Sequence, residues 1–366
     1  MLHVQRVAGL GGSERHLLDL LPALRERDVD ATMLVLEVEG AERFTQPMRQ
    51  AGVPVRTAPA GGHADPRTAW WILRAIRQLR PDIVHLHLID ATVHGLPAAR
   101  LAAAPGVVTV HSVDPSFERA PSRQAAMVAG RLAARTIAIS RAVADHQVRL
   151  GLARRETTRV IPYGIEASWW QKPTDIATTR SSVGAGDGEI LAGVASRLAV
   201  GKGHSVLLAA FAQAIVEAPQ LRLAIAGDGP LMSEVLREAA ALPAGTVHIA
   251  GFVRDVRAFL QACDVIVVPT QPELGEGFGL AALEAMAAGT PVVATDVPAL
   301  PEVIGEAGLL VAPGSVPQLA DALIRLARDE ELRRRIGQAG ARRAEEIFPL
   351  DRMVDATIDL YREVAP

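Results

Sequence analysis

The sequence predicts an α/β protein made of two doubly wound, Rossmann-like halves. Three observations predict it. Short runs rich in Val, Ile or Leu alternate with amphipathic helical stretches. The same rhythm starts again past the middle of the chain. A stretch of turn and linker residues separates the two series. At 366 residues the chain is long enough for about two domains of roughly 150 residues each.

In the first half, strand-like runs fall at 3–7, 31–36, 53–57, 82–87, 107–110 and 136–139, each bounded by Gly, Pro or polar residues. Between the first two, Glu14 to Arg27 carries Leu17, Leu18, Leu21 and Leu24 at helical spacing. The second half places strands at 190–195, 221–226, 246–250, 264–268, 291–294 and 308–311. Its helices fall at 203–217, 230–241, 255–262, 279–288 and 316–346. Alternation of this kind implies parallel βαβ units with helices on both faces. Pro173, Ser181, Gly184, Gly186 and Gly188 put the seam between Gly164 and about Gly188. A last helix follows the break at Phe348-Pro349.

Composition narrows the function classes. Hydrophobic residues make up 49% and charged residues 22%, a globular balance with apolar area for two cores. The formal net charge is −3, whereas a general nucleic-acid binder is usually basic. The single cysteine, Cys263, rules out an intrachain disulfide. It reads as a small buried hydrophobe in a reducing compartment. No targeting segment is visible, and no apolar run approaches the ~20 residues that span a bilayer. The expected location is cytoplasmic.

In open parallel sheets, ligands bind beyond the carboxyl ends of the strands, so the strand-end residues carry the argument. Glu276-Gly-Phe-Gly-Leu-Ala-Ala-Leu-Glu284 places one carboxylate just before a helix and one inside it. Gly277 and Gly279 permit close backbone approach, and the helix start offers free N–H groups to a diphosphate. Glu276 can then accept from sugar hydroxyls and Glu284 from a ribose diol. A solvated helix start with acids at its favoured end is the other reading. Arg197 and Lys202, in Gly193-Val-Ala-Ser-Arg-Leu-Ala-Val-Gly-Lys-Gly203, also lie between a strand and a helix. They can bind phosphate oxygens and offset charge growing on a leaving diphosphate. Their place at a helix start, where the dipole disfavours cations, sets function against a plain surface pair. The spacing is not that of a P-loop.

Leu10-Gly-Gly-Ser13 resembles a phosphate-cradling turn, with Gly12 allowing close approach and Ser13 as N-cap; a plain tight turn fits equally. His111 ends a strand and can donate to a sugar or act as acid or base. His85 and His87 end another strand, and with no third close ligand apparent in the sequence no metal is expected. Between Arg119 and Arg159 stand nine Arg against two acids. This stretch reads as solvated helix faces or as a surface for anionic lipid or a phosphorylated acceptor.

Together these motifs resemble the retaining GT-B glycosyltransferases of family 4, over nearly the whole chain. The resemblance rests on Gly11 to His16, Asp82 to His87, Val107 to His111, Ile161 to Ile165, Ala226 to Pro230, Gly251 to Val253, and the block Glu276 to Glu284 with Pro291 to Thr295 and Glu302 to Ile304. It implies an acceptor-side domain at 1–168, joined by a returning helix at 349–366, and a donor domain at 169–348, the two facing across a cleft. Arg197 and Lys202 would bind and stabilise the diphosphate, Glu284 the ribose and Glu276 the donor sugar. Gly277, Phe278, Gly279 and Leu280 lie beside it, His111 near the reacting carbon. Gly12, Gly227, Phe252 and Val253 would complete the donor contacts. The co-substrate would be a UDP-, GDP- or ADP-sugar, with no cofactor and no metal. Retention would proceed by attack on the face from which the diphosphate leaves.

The sequence departs from the family at three places. Tyr163 replaces the usual Asn of Ile-Pro-Asn-Gly. The loop Thr270 to Glu276 is about three residues longer, so Glu273 competes with Glu276. Pro298-Ala299 replaces a Gly-Gly. Acceptor contacts would come from His16, Asp90, His94, Asp114 and the 115–125 loop, for a small-molecule, glycan or lipid-linked acceptor. The Arg-rich stretch would allow peripheral contact with the inner membrane face. Three rival readings remain: an epimerase on the same fold, a Rossmann dehydrogenase, and a non-catalytic nucleotide-sugar binder. The incomplete GxGxxG fingerprint at Gly9, Gly11 and Gly12 disfavours the dehydrogenase.

Overall fold

Residues 1–7, 9–38, 40–59, 65–113 and 121–365 are described by the computed structural model, the side chains of 121 and 122 excepted. The chain divides into two compact units, Met1–Gly164 with Leu350–Pro366, and Ile165–Pro349.

In the first unit the elements run β1 (Leu2–Val7), α1 (Gly12–Arg25), β2 (Thr32–Glu37), α2 (Glu42–Gln50), β3 (Val55–Pro59), α3 (Pro66–Leu79), β4 (Val84–His87), α4 (Leu88–Leu101), β5 (Gly106–Val110), α5 (Pro121–Gly130), β6 (Arg135–Ala138), α6 (Arg141–Arg149) and β7 (Thr158–Val160). The strands form one parallel sheet in the order β3-β2-β1-β4-β5-β6-β7. Strand order reverses between β1 and β4, the switch point where doubly wound sheets bind ligands. β7 was not expected. It is a three-residue edge strand with Arg159 and Val160 exposed, so it lacks the apolar run that marks a buried strand.

Successive strand residues point to opposite faces, and two cores result. Leu2, Val4, Val84, Leu86 and Val108 share one with Ile72, Ile76 and Leu96 of α3 and α4. Val7, Met33, Val35, Val107 and Ile137 share the other with Leu17, Leu20 and Leu24 of α1.

The second unit contains α7 (Ala167–Trp170), α8 (Ile176–Ser182), β8 (Ile190–Ala195), α9 (His204–Glu217), β9 (Leu221–Ala226), α10 (Met232–Ala239), β10 (Val247–Gly251), α11 (Val256–Ala262), β11 (Val265–Val268), α12 (Leu280–Ala287), β12 (Val292–Thr295), α13 (Leu300–Ile304), β13 (Leu309–Val311), α14 (Val316–Arg328) and α15 (Glu330–Ile347). Its parallel sheet runs β10-β9-β8-β11-β12-β13, with the switch point between β8 and β11. Two expectations need correction. The supposed linker holds two short helices, tied to α11 by Gln261 Nε2 donating to Trp170 O and by Arg257 over the Trp169 ring at 4.5 Å. The single helix expected at 316–346 is two, because Asp329 leaves the helical region at φ −113° and caps the second through Leu332 N.

The chain then returns to the first unit as α16 (Leu350–Val364). Met353, Val354, Ile358 and Leu360 complete the core beneath α1. Tyr361, also buried, brings its hydroxyl to His85 Nδ1 at 2.6 Å. Replacing Tyr361 by Phe leaves that nitrogen buried without its partner. The loss should be about 1–3 kcal/mol, read as a lower urea midpoint for the first unit. An unchanged midpoint would mean that the hydroxyl contributes nothing.

Candidate functional site

In the second unit, the loops after β8 and β11 leave neighbouring strands at the switch point. Gly203 opens α9 at φ +76°, and a Cβ there would lie 1.8 Å from Pro269 O. Only glycine lets the two loops touch backbone to backbone, and Gln271 N donates to Gly201 O at 2.7 Å. The contact delivers Lys202 to Glu276, Nζ to Oε2 at 3.1 Å, and Thr270 Oγ1 donates to the same oxygen at 2.9 Å. Thr270 is fixed in turn by Thr295 Oγ1 donating to its carbonyl. Glu276 Oε1 carries no hydrogen bond among the described residues. Arg197 is exposed nearby in sequence and makes no ion pair among them. Gly227, at φ +144°, brings the β9 loop against the carbonyl of Ser196 in the same way, and its N–H donates to Gly251 O at 2.7 Å. The loops after β9 and β11 thus pack on the loop after β8, which leads into a helix start without a side-chain cap, where Lys202 and Glu276 pair and Arg197 lies earlier in the same loop. A shallow depression bounded by Gln171, Gln261, Asp264, Thr290 and Arg333 lies at the opposite, amino-terminal ends of β11 and β12, away from this cluster.

His204, the first residue of α9, is buried with Nε2 3.1 Å from Ser196 Oγ. Burial, and then the charge of Lys202, pushes its pKa down to about 4. It is therefore neutral at physiological pH.

In the first unit, one sheet face carries an imidazole layer where aliphatic side chains would be usual. Parallel pairing sets His3 of β1 opposite His85 of β4, and His87 and His111 follow on the same side. His85 Nε2 lies 2.6 Å from Thr109 Oγ1. His3 Nδ1 meets His87 Nε2 at 3.0 Å, His87 Nδ1 meets His111 Nε2 at 3.0 Å, and His111 Nδ1 meets Tyr163 Oη at 2.6 Å. His16 of α1 stacks on the Tyr163 ring, with centroids 4.4 Å apart. All five histidines are buried.

The pairing supplies the third histidine that the sequence did not reveal: ring nitrogens of His3, His85 and His87 lie within 4.8 Å of one another. In this arrangement both nitrogens of His85 and of His87, and Nδ1 of His3, are already hydrogen bonded. A metal ion would have to displace those bonds, so the trio fits a hydrogen-bonded layer better than a ligand set.

Residues 10–169 match the family model described as Glycosyltransferase Family 4, and residues 189–329 the model described as Glycosyl transferases group 1. The chain belongs to glycosyltransferase family 4. A D-inositol 3-phosphate glycosyltransferase of Saccharomonospora viridis is 32% identical over 60% of this chain, which spans about half (53%) of that relative. The corresponding enzyme of Streptomyces avermitilis is 28% identical over 98% of this chain and 84% of its own length. The structure of Anabaena HepE in complex with UDP-glucose superposes with a TM-score of 0.86 at 25% identity, covering 99% of both chains. The fold is accordingly of the GT-B class, two Rossmann-like units with parallel sheets.

Within this family frame the expected residues have separate fates. Glu276, not the exposed Glu273, meets Lys202. Phe278 turns its side chain into the core, edge-on to Phe348 at 5.5 Å, so only its backbone can serve a ligand. Leu280 and Glu284, on α12, are half-buried, as is Val253, while Phe252 is exposed. Gly277 and Gly279 are buried ahead of α12. Gly12 lies at the start of α1 with open space where a Cβ would stand. Ser13 is not the N-cap; Gly11 holds that position, and its N–H donates to Glu14 Oε2 at 3.0 Å. His111 does not offer a nitrogen for acid–base work, since both are occupied. Asp90 is drawn to Arg6 at 3.6 Å, and His94 sits one turn further along α4, half-buried. Asp114 lies outside the described residues. The Arg-rich stretch is partly neutralised, because Arg135 and Arg159 pair with Glu363 and Arg155 with Asp145.

Burial pushes the imidazoles down, His3 and His16 to about 3 and His85, His87 and His111 well below the usual value of 6.5. The unfolded chain binds protons below pH 6.5 that these folded rings refuse, so stability rises with pH across that window and falls on acidification. The thermal midpoint of the first unit should drop steadily from pH 7 to pH 5. A flat midpoint over that range would contradict neutral, buried rings.

Proposed function

We propose that the protein transfers a sugar from a nucleotide-diphosphate donor to an acceptor hydroxyl, with retention of configuration and without a metal ion. The observation that carries this reading is Lys202 held on Glu276 at the start of α9, with Arg197 in the same loop. The two cations and the helix N-terminus suit a diphosphate whose charge grows as it leaves. Glu276 keeps one oxygen for hydroxyls of the donor sugar, and Glu284 would take the ribose. In the reaction the anomeric carbon–phosphate oxygen bond breaks and the bond to the acceptor oxygen forms on the same face. The acceptor proton passes to the departing phosphate oxygen. No side-chain base is needed, which agrees with the engaged nitrogens of His111. The bound UDP-glucose of HepE favours uridine as the donor base. The first unit would hold the acceptor, a small molecule, glycan or lipid-linked sugar.

The test begins with ligand-induced thermal shifts. UDP, and more strongly one UDP-sugar, should raise the midpoint, while a response to NAD(H) alone would favour a dehydrogenase. With donor and acceptor in hand, Arg197→Ala and Lys202→Ala should each cut kcat on the order of 10²–10³-fold with little change in unfolding midpoint. Wild-type turnover in either variant would remove that residue from the reaction. EDTA should leave the rate intact; loss restored by a divalent cation would refute the metal-free mechanism. Conversion of the donor to its epimer without acceptor would identify an epimerase.

A further inference from the structure

Tyr163 ends a chain of buried hydrogen bonds running from its hydroxyl through His111 and His87 to His3. The far end, His3 Nε2, is buried and has no partner among the described residues. A neutral imidazole has one N–H and one bare nitrogen, so each link dictates the next. The three rings must all be Nδ1–H or all Nε2–H. In the second state the chain ends on a buried N–H with no acceptor. In the first it ends on a bare nitrogen, Nδ1–H of His111 donates to Tyr163 Oη, and the phenol O–H, which rotates about its C–O bond, turns away from His111. Orphaned buried N–H groups are the rarer defect in protein interiors.

We propose that Tyr163, His87 and His3 are positioning residues for His111: they hold all three rings in the Nδ1–H tautomer, so that His111 serves as a fixed, neutral dipole and not as a proton acceptor. The phenol suits this task in two ways. It reaches His111 Nδ1 at 2.6 Å, and its ring stacks on His16 at an interplanar angle of 22°. Burial, with the other imidazoles of the layer as neighbours, disfavours charging any member of the chain.

The consequence for turnover rests on the transferase reading, but the tautomers can be read without substrate. Ring-nitrogen NMR on the full chain, labelled with 15N-histidine, should show three Nδ1–H neutral rings at pH 7. His111 is assigned from the signals that vanish in His111→Gln. If any of His3, His87 or His111 appears as Nε2–H or as imidazolium, the proposal fails. Tyr163→Phe removes the acceptor at the near end. The His111 signals should then move toward a tautomer mixture, while those of His85, held by Tyr361 and Thr109, stay in place. Unmoved His111 signals would show that Tyr163 does not position it. If His111→Gln does not fold, the Tyr163→Phe difference spectrum supplies the assignment. Once a donor is known, Tyr163→Phe should lower kcat on the order of 10-fold or more through misplacement of His111, with donor KM within about 2-fold. An unchanged kcat with altered stability alone would reduce Tyr163 to packing. Inactivity of the wild type would instead count against the transferase reading and leave the tautomer result standing.

Discussion

A parallel sheet covered by helices on both faces has nowhere to put chemistry except at the ends of its strands. That constraint acts twice in this chain. In each unit the strand order reverses beside the first strand, so the loops after β1 and β4, and after β8 and β11, diverge and leave room at their base. Arg197, Lys202, Glu276 and His111 lie on or just beyond these ends, whereas Glu284 and His16 lie on the helices that follow and His3 stands near the start of β1. The remainder of each unit serves to hold those ends at fixed separations.

The two units use their strand ends in opposite ways. In the second, a lysine stands just ahead of a helix start, where the dipole opposes it. Lys202 tolerates this position because Glu276, with Thr270 on the same oxygen, supplies a counter-charge. An anion arriving there meets a cation already oriented, which reduces the ordering cost of binding. In the first unit the buried histidines of the sheet are uncharged. Neutral imidazoles bond to one another and to two tyrosines, giving a polar yet uncharged layer inside the unit.

Much of this was legible in the sequence, for identifiable reasons. Buried parallel strands are apolar runs, so twelve of them stood out as local patterns. Glu276, Glu284, Arg197 and Lys202 occur at local spacings that raised the expectation of a nucleotide-sugar ligand, and the structure joins Lys202 to Glu276. What escaped depends on distance along the chain. His3 is unremarkable until strand pairing sets it opposite His85, more than eighty residues away. The meeting of Lys202 with Glu276 spans 74 positions and depends on Gly203 allowing two backbones to touch. Tyr163 was visible as a departure from the family pattern, but its partners His111 and His16 come from other elements. The break at Asp329 contains neither Gly nor Pro; the side chain alone, capping Leu332, ends one helix and begins the next. The helices hidden in the expected linker are short and anchored by contacts to α11 rather than by periodicity.

The position of α16 has a consequence for how the protein is made. Its apolar face closes the core under α1, and Tyr361 supplies a partner for a histidine at the centre of the first sheet. Those residues follow the entire second unit in the chain. During synthesis the first unit must therefore wait, with one face of its sheet unfinished, while some 185 later residues emerge (Ile165 to Pro349). The second unit, continuous in sequence, can close as soon as it leaves the ribosome. The half that is translated first is thus the half that is finished last, and the histidine layer is dried only when the final helix docks.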